Sequence, residues 1–126
     1  MRNYVSQDYD SIRSALLDEG FTDEQMTFET DETFINDDGF FSYRIESGFP
    51  RLIHFYTEKP RSPDKARRLI KEFRKMVIRE NYPFFIMSAP KEKPELAKFI
   101  IYLKGKKYLE QDGDKYFYVP IAGRIK

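Results

Sequence analysis

Residues 52–87 read LIHFYTEKPRSPDKARRLIKEFRKMVIRENYPFFIM, and this stretch decides the fold. Leu52 to Thr57 is an apolar and aromatic run of strand length. From Pro63 to Asn81, apolar residues recur at Ala66, Leu69, Ile70, Phe73, Met76 and Val77, the i, i+3, i+4, i+7 spacing of a helix with one buried stripe. Arg67, Arg68, Lys71, Arg74, Lys75 and Arg79 fall largely off that stripe. Ser62 can cap the first turn, Pro63 suits the first helical position, and Asp64 favours the positive end of the helix dipole. Pro83 marks the exit, and Phe84 to Met87 reads as a short strand buried on both faces, as in the interior of a sheet.

Outward from this unit, the chain continues the same alternation. A further helix is expected from Pro94 to Lys104, with Leu96, Phe99, Ile100 and Leu103 inward and Gly105 as its C-terminal cap. Lys107 to Glu110, Asp112-Gly113 and Lys115 to Val119 form a closing hairpin. On the N-terminal side, Thr33 to Asn36, the turn Asp37-Asp38-Gly39 and Phe40 to Glu46 read as strand, tight turn and strand. Ser47-Gly48-Phe49-Pro50 is a second turn, so three antiparallel strands make a meander. Asn3 to Ser6 forms a short first strand, and Asp8 opens a helix through Ile12, Ala15 and Leu16 that Gly20 ends. Thr22 to Thr33 is acidic and weakly patterned, and fits either a short helix or a loop.

The 126 residues suit a single domain, 1–126, with one core, and twelve Phe and nine Tyr belong to a folded chain. The absence of cysteine excludes disulfides, thiolate metal sites and Cys nucleophiles, and favours an intracellular protein. No apolar run approaches the roughly 20 residues of a membrane span, and Met1-Arg2-Asn3 is not a secretory start. A cytoplasmic protein without membrane contact is expected. The net charge of +1 hides a division: residues 1–40 carry eleven acidic and two basic residues, residues 41–126 ten acidic and twenty basic. Either the two segments neutralise each other in the fold, or they present an acidic and a basic face to partners.

The order of elements resembles the GNAT N-acetyltransferase superfamily, from first strand and helix through meander, helix, strand, helix and hairpin. The resemblance implies an α+β, three-layer fold: a mixed, mostly antiparallel sheet of six to seven strands flanked by three to four helices. That sheet would splay between Leu52–Thr57 and Phe84–Met87 to hold acetyl-CoA. The family's pyrophosphate motif, Arg/Gln-x-x-Gly-x-Gly/Ala, corresponds to Arg61-Ser62-Pro63-Asp64-Lys65-Ala66. Arg61 and Ala66 keep the pattern, whereas Asp64 replaces the central Gly and Pro63 removes an N–H donor. Arg61, Lys65, Ala66, Arg67 and Arg68 are thus the cofactor-binding candidates. The second family motif, Asn-x-x-Ala-x-x-x-Tyr-x-x-x-Gly, meets Pro94, Ala97, Ile101 and Gly105. Its Asn and its thiolate-protonating Tyr are replaced. Tyr102 stands next in line as a catalytic candidate, but one residue turns a helical side chain by about 100 degrees, so its ring is expected at the edge of the core with the hydroxyl in water.

His54 is the sole histidine and the leading candidate base, able to take a proton from an ammonium substrate through water, with Glu58 behind it. Alternation places it on the face of Leu52 and Tyr56. No metal is expected, since one His, no Cys and the short Asn36-Asp37-Asp38-Gly39 loop make no ligand set. Nucleic acid is set aside: Tyr108, Tyr116 and Tyr118 and the basic helix face come without a recognised motif. Two functions stand. One is a non-catalytic GNAT-like binding or assembly module with a protein partner; small aromatic-rich members of this kind resemble phage-encoded ones, for which a virion-associated location is an alternative. The other is an acetyl-CoA-dependent N-acetyltransferase acting on a small primary amine. The oligomeric state is left open.

Overall fold

The computed structural model describes residues 1–121 and is α+β, with three α-helices and a mixed seven-stranded sheet. The strands are β1 (Arg2–Asn3), β2 (Glu32–Asn36), β3 (Gly39–Glu46), β4 (Phe49–Thr57), β5 (Phe84–Ala89), β6 (Lys106–Gln111) and β7 (Asp114–Pro120). The helices are α1 (Tyr9–Asp18), α2 (Pro63–Arg79) and α3 (Pro94–Tyr102). The sheet order is β1-β2-β3-β4-β5-β7-β6. β4 and β5 run parallel with Arg51 opposite Ile86, and β5–β7 and β6–β7 are antiparallel. No described helix is long and apolar enough to cross a membrane. The contacts divide the described chain into two compact units, one of residues 1–44 and 54–73, the other of residues 45–53 and 74–121.

In the first unit, α1 forms because Ile12 and Leu16 lie one turn apart and both bury their side chains, while Gly20 at φ +96° releases the chain beyond it. These two residues join Phe28, Phe40 and Tyr56 in a cluster, with the Phe40 and Tyr56 rings stacked at 5.1 Å. The neighbouring residue Phe41 faces the other way and meets Phe73 of α2 at 5.2 Å, edge to face; Tyr43 meets the same ring at 5.3 Å. This unit therefore has helices on both faces of its strands. Each fully buried Phe contributes about 2 to 3 kcal/mol of transfer free energy, so the two faces carry comparable weight.

In the second unit, Pro50, Leu52, Phe85, Met87, Ala89, Phe117 and Val119 are buried, with Ile100 and Leu103 from the end of α3, which packs on β5 and β7. The intervening residues Phe49, Arg51, Phe84, Ile86, Tyr116 and Tyr118 are half-buried. β5 thus alternates, which corrects the expectation of a strand buried on both faces. Its other face, with Phe84 and Ile86, is covered among the described residues by neighbouring rings, such as Phe49 stacked on Phe84 at 4.3 Å.

Other boundaries move for identifiable reasons. The Thr22–Thr33 stretch holds a single 3₁₀ turn, Asp23–Gln25, closed by a reciprocal cap between Thr22 and Gln25. The second meander turn is only Ser47-Gly48, both at positive φ, and Pro50 belongs to β4 near its start, where a missing N–H is tolerated. At the end of α3, Lys104 takes the left-handed position at φ +72°, ahead of Gly105. Gly39 lies at a paired strand position opposite Asn36, and the turn itself is Asp37-Asp38, where the Asn36 side chain accepts from the Asp38 N–H at 2.8 Å.

At Gly39, φ is +148° and a Cβ would overlap the backbone carbonyl of Tyr56, whereas at Gly48, φ +86°, an added methyl meets nothing. Gly48→Ala is therefore expected to cost about 1 kcal/mol of stability, the strain of a left-handed residue alone. Gly39→Ala should cost about 3 kcal/mol or more, because backbone must move as well. Urea titration of the two variants against the native chain checks the difference; equal losses would mean that the β3–β4 approach yields freely.

Candidate functional site

The start of α2 is built as the sequence dictates. Ser62 Oγ accepts from the Lys65 N–H at 3.2 Å, and Pro63 opens the helix. Arg61, Lys65, Ala66, Arg67 and Arg68 are accordingly brought together on this first turn and the loop before it. What surrounds them is the chain's own acid. Arg61 pairs with Glu19 and lies 5.2 Å from the centre of the Tyr56 ring. Arg67 pairs with Asp64 one turn back, Arg68 grips both oxygens of Asp38 at 3.0 and 2.7 Å, and Lys59 reaches Asp18 at 2.6 Å. The Lys65 ammonium donates to the carbonyls of Glu58 and Pro60 at 3.1 and 2.7 Å. Ala66 is half-buried, its N–H returned to the Ser62 carbonyl at 3.3 Å.

The charges respond to this pairing. The Arg68 guanidinium holds the Asp38 carboxyl below its ordinary range, and Lys59 does the same for Asp18; Glu19 raises Arg61 further. Exposed pairs of this kind each stabilise by at most about 1 kcal/mol, so their main consequence is local neutrality. Four of the five cations at the head of α2 meet a carboxylate, and the fifth, Lys65, is held by two backbone carbonyls. The field that would draw a pyrophosphate to a helix N-terminus is correspondingly small.

Residues 1–40 supply three of those carboxylates, Asp18, Glu19 and Asp38, and a fourth pair, Asp31–Arg44 at 3.0 Å, also joins the acidic segment to the basic one. Mutual neutralisation within the first unit is thus what the charge division serves there. Sequence reasoning named Arg61, Lys65, Arg67, Arg68 and Asp64 but missed Lys59 and the acids Asp18, Glu19 and Asp38, whose only advance signal was that division.

His54 is 1 % exposed. Its Nε2 accepts a long hydrogen bond from the Thr27 N–H at 3.4 Å, and the Phe21 ring stands against it edge-on at 5.1 Å. With Nε2 accepting, the neutral ring carries its proton on Nδ1, which has no hydrogen-bond partner among the described residues. Thr27 also donates to Asp31 at 2.5 Å and accepts from Arg44 at 2.8 Å. Burial pushes the imidazole down to about 4, with Asp31 raising and Arg44 lowering it more weakly. The arrangement keeps His54 neutral but offers its lone pair to a backbone amide rather than to water. Tyr102, in the second unit, is 60 % exposed and touches Phe99 at 6.5 Å, so the expected place at the core edge is corrected: the ring projects into solvent. Glu58 lines an open polar cleft of about 640 Å³ together with Arg2, Asp8, Ser11, Asp18 and Tyr56. Among the described residues no group of three or more His, Asp or Glu side chains is placed to hold a metal ion.

Compared with known proteins, the chain matches no family model and no curated protein sequence.

The buried imidazole makes stability depend on acid. Its folded pKa, about 4, lies below the ordinary 6.5, so stability is complete above pH 6.5. As pH falls from 6.5 to 4 the unfolded chain takes a proton that the folded one refuses, and about 3 kcal/mol is lost by linkage. His54→Phe should flatten this part of the profile while lowering stability at pH 7 through the orphaned Thr27 N–H. Urea midpoints measured across that range check it; an unchanged acid slope in the variant would assign the loss to other groups.

Proposed function

We propose that the chain is a GNAT-like module whose acyl-CoA site is closed by its own ion pairs, and that it works as a non-catalytic binding or assembly protein. The likeness is supported by the sheet order, by the parallel β4–β5 pair and by α2 as the connection between those strands. The observation that carries the non-catalytic reading is that each arginine at the head of α2 is already held by a carboxylate. A bound pyrophosphate would have to displace Glu19 from Arg61, Asp38 from Arg68 and Asp64 from Arg67 while receiving one N–H fewer at Pro63. Two further features agree with it. His54 has no exposed nitrogen with which to accept a proton from an amine, and Tyr102, beside Phe99, is mostly exposed, one residue beyond the family's acid position.

A protein is the expected partner of such a module. An N-acetyltransferase acting on a primary amine would instead need native affinity for acetyl-CoA, because positioning of the thioester supplies much of the rate.

Isothermal titration with acetyl-CoA and with free CoA separates these functions. The native chain is expected to give no saturable heat with either, and an Asp64→Gly, Glu19→Gln variant to gain weak binding of both. Micromolar binding by the native chain would overturn the proposal in favour of the acyltransferase.

A further inference from the structure

The second unit carries a row of rings across four strands of the sheet. Phe49 of β4 stacks on Phe84 of β5 at 4.3 Å and 22°, Phe84 meets Tyr118 of β7 at 5.6 Å, and Tyr118 meets Tyr108 of β6 at 6.4 Å. Beside the row, the Arg51 guanidinium lies 5.8 Å from the centre of the Tyr116 ring while bonded to Glu46 at 2.9 Å. These residues line a shallow cavity of about 550 Å³ to which no described helix contributes. Tyr108 is 53 % exposed and Leu109 45 %, so the surface is open at its β6 end.

Charge follows the rings. Register places Arg51 opposite Ile86, Ile86 opposite Tyr118 and Tyr118 opposite Lys106, so one row of the sheet runs from cation through apolar and aromatic residues to cation. Its ends are about 14 Å apart, three interstrand spacings. Lys106 is exposed and has no acidic partner among the described residues. Residues 45–53 and 74–121 carry eleven basic and seven acidic residues, a net +4, against −5 for residues 1–44 and 54–73.

We propose that this face of the second unit binds single-stranded nucleic acid, with unpaired bases stacked on Tyr108, Tyr118 and the neighbouring rings and a phosphate held by Lys106, while Arg51 stays paired with Glu46. Aromatic side chains with an exposed lysine at the end of their row suit bases that have no partner strand, because every base offers a flat face and every linkage a negative charge. A duplex hides its base faces and gains only the charge. The rings lie at Phe49, Phe84, Tyr108, Tyr116 and Tyr118, far enough apart in sequence that no motif announces them, which is why sequence alone set this partner aside. The site uses no residue at the head of α2, so it stands or falls independently of the acyl-CoA reading.

Fluorescence anisotropy of labelled oligo-dT, oligo-rU and a matched duplex, over a salt series and with the full chain, tests the inference. Single strands are expected to bind at low salt at least tenfold more tightly than duplex, with the dT and rU arms telling DNA from RNA preference. Tyr108→Ala should weaken strand binding by about tenfold, Tyr108→Phe should restore it, and Lys106→Glu should weaken it and reduce the salt slope by about one. Both positions are exposed, and unchanged thermal midpoints confirm intact folding. No strand binding by the native chain, equal affinity for duplex, or an unaffected Tyr108→Ala variant would each overturn the proposal; the first would leave the face to a protein partner.

Discussion

A β-strand can show only every second side chain to one face, and β4 imposes that constraint on nine successive residues without a break. Pro50, Leu52, His54 and Tyr56 are buried as a consequence, and Phe49 and Arg51 must then lie on the opposite side. The same parity that removes His54 from water therefore sets Phe49 and Arg51 where a ligand can reach them. β4 belongs to both compact units, so its alternation conditions the core of one and the aromatic row of the other. A one-residue slip would exchange these sets and bury a guanidinium.

Ion pairs tie the first unit together around the start of α2. A helix N-terminus is a ready anion site only while its surroundings are basic or neutral, and the dipole there is worth about half a charge. Glu19, Asp38 and Asp64 set full carboxylates against Arg61, Arg68 and Arg67. The pairs are weak individually, yet together they surround the start of this helix with acid as well as base.

Much of the fold was legible because it is written in local periodicity. The stripe Leu69, Ile70, Phe73 and Val77 predicted α2 to within two residues, and Asp112-Gly113 predicted the final turn, where both residues do take positive φ. The Thr22–Thr33 stretch was not legible because its order comes from one short cap, from the buried Phe28 ring and from hydrogen bonds of Thr27 to remote residues rather than from a repeating pattern. The burial of β5 was misjudged because an apolar strand looks the same whether helices or only neighbouring rings cover it. Of the candidate site, the cations at the head of α2 could be read directly. Their partners Asp18, Glu19 and Asp38 could not, since they lie 30 to 42 residues away along the chain.

The sequence by itself determined the elements, their order and the segregation of acid from base, because helix stripes, turn residues and composition act over a few neighbouring positions. Only the tertiary structure decided which charges pair, that His54 is buried with one nitrogen unpartnered among the described residues, and that five rings from three separate segments share one open face. Those outcomes depend on distances between residues remote in the chain, and Coulomb attraction, desolvation and ring stacking are all functions of distance.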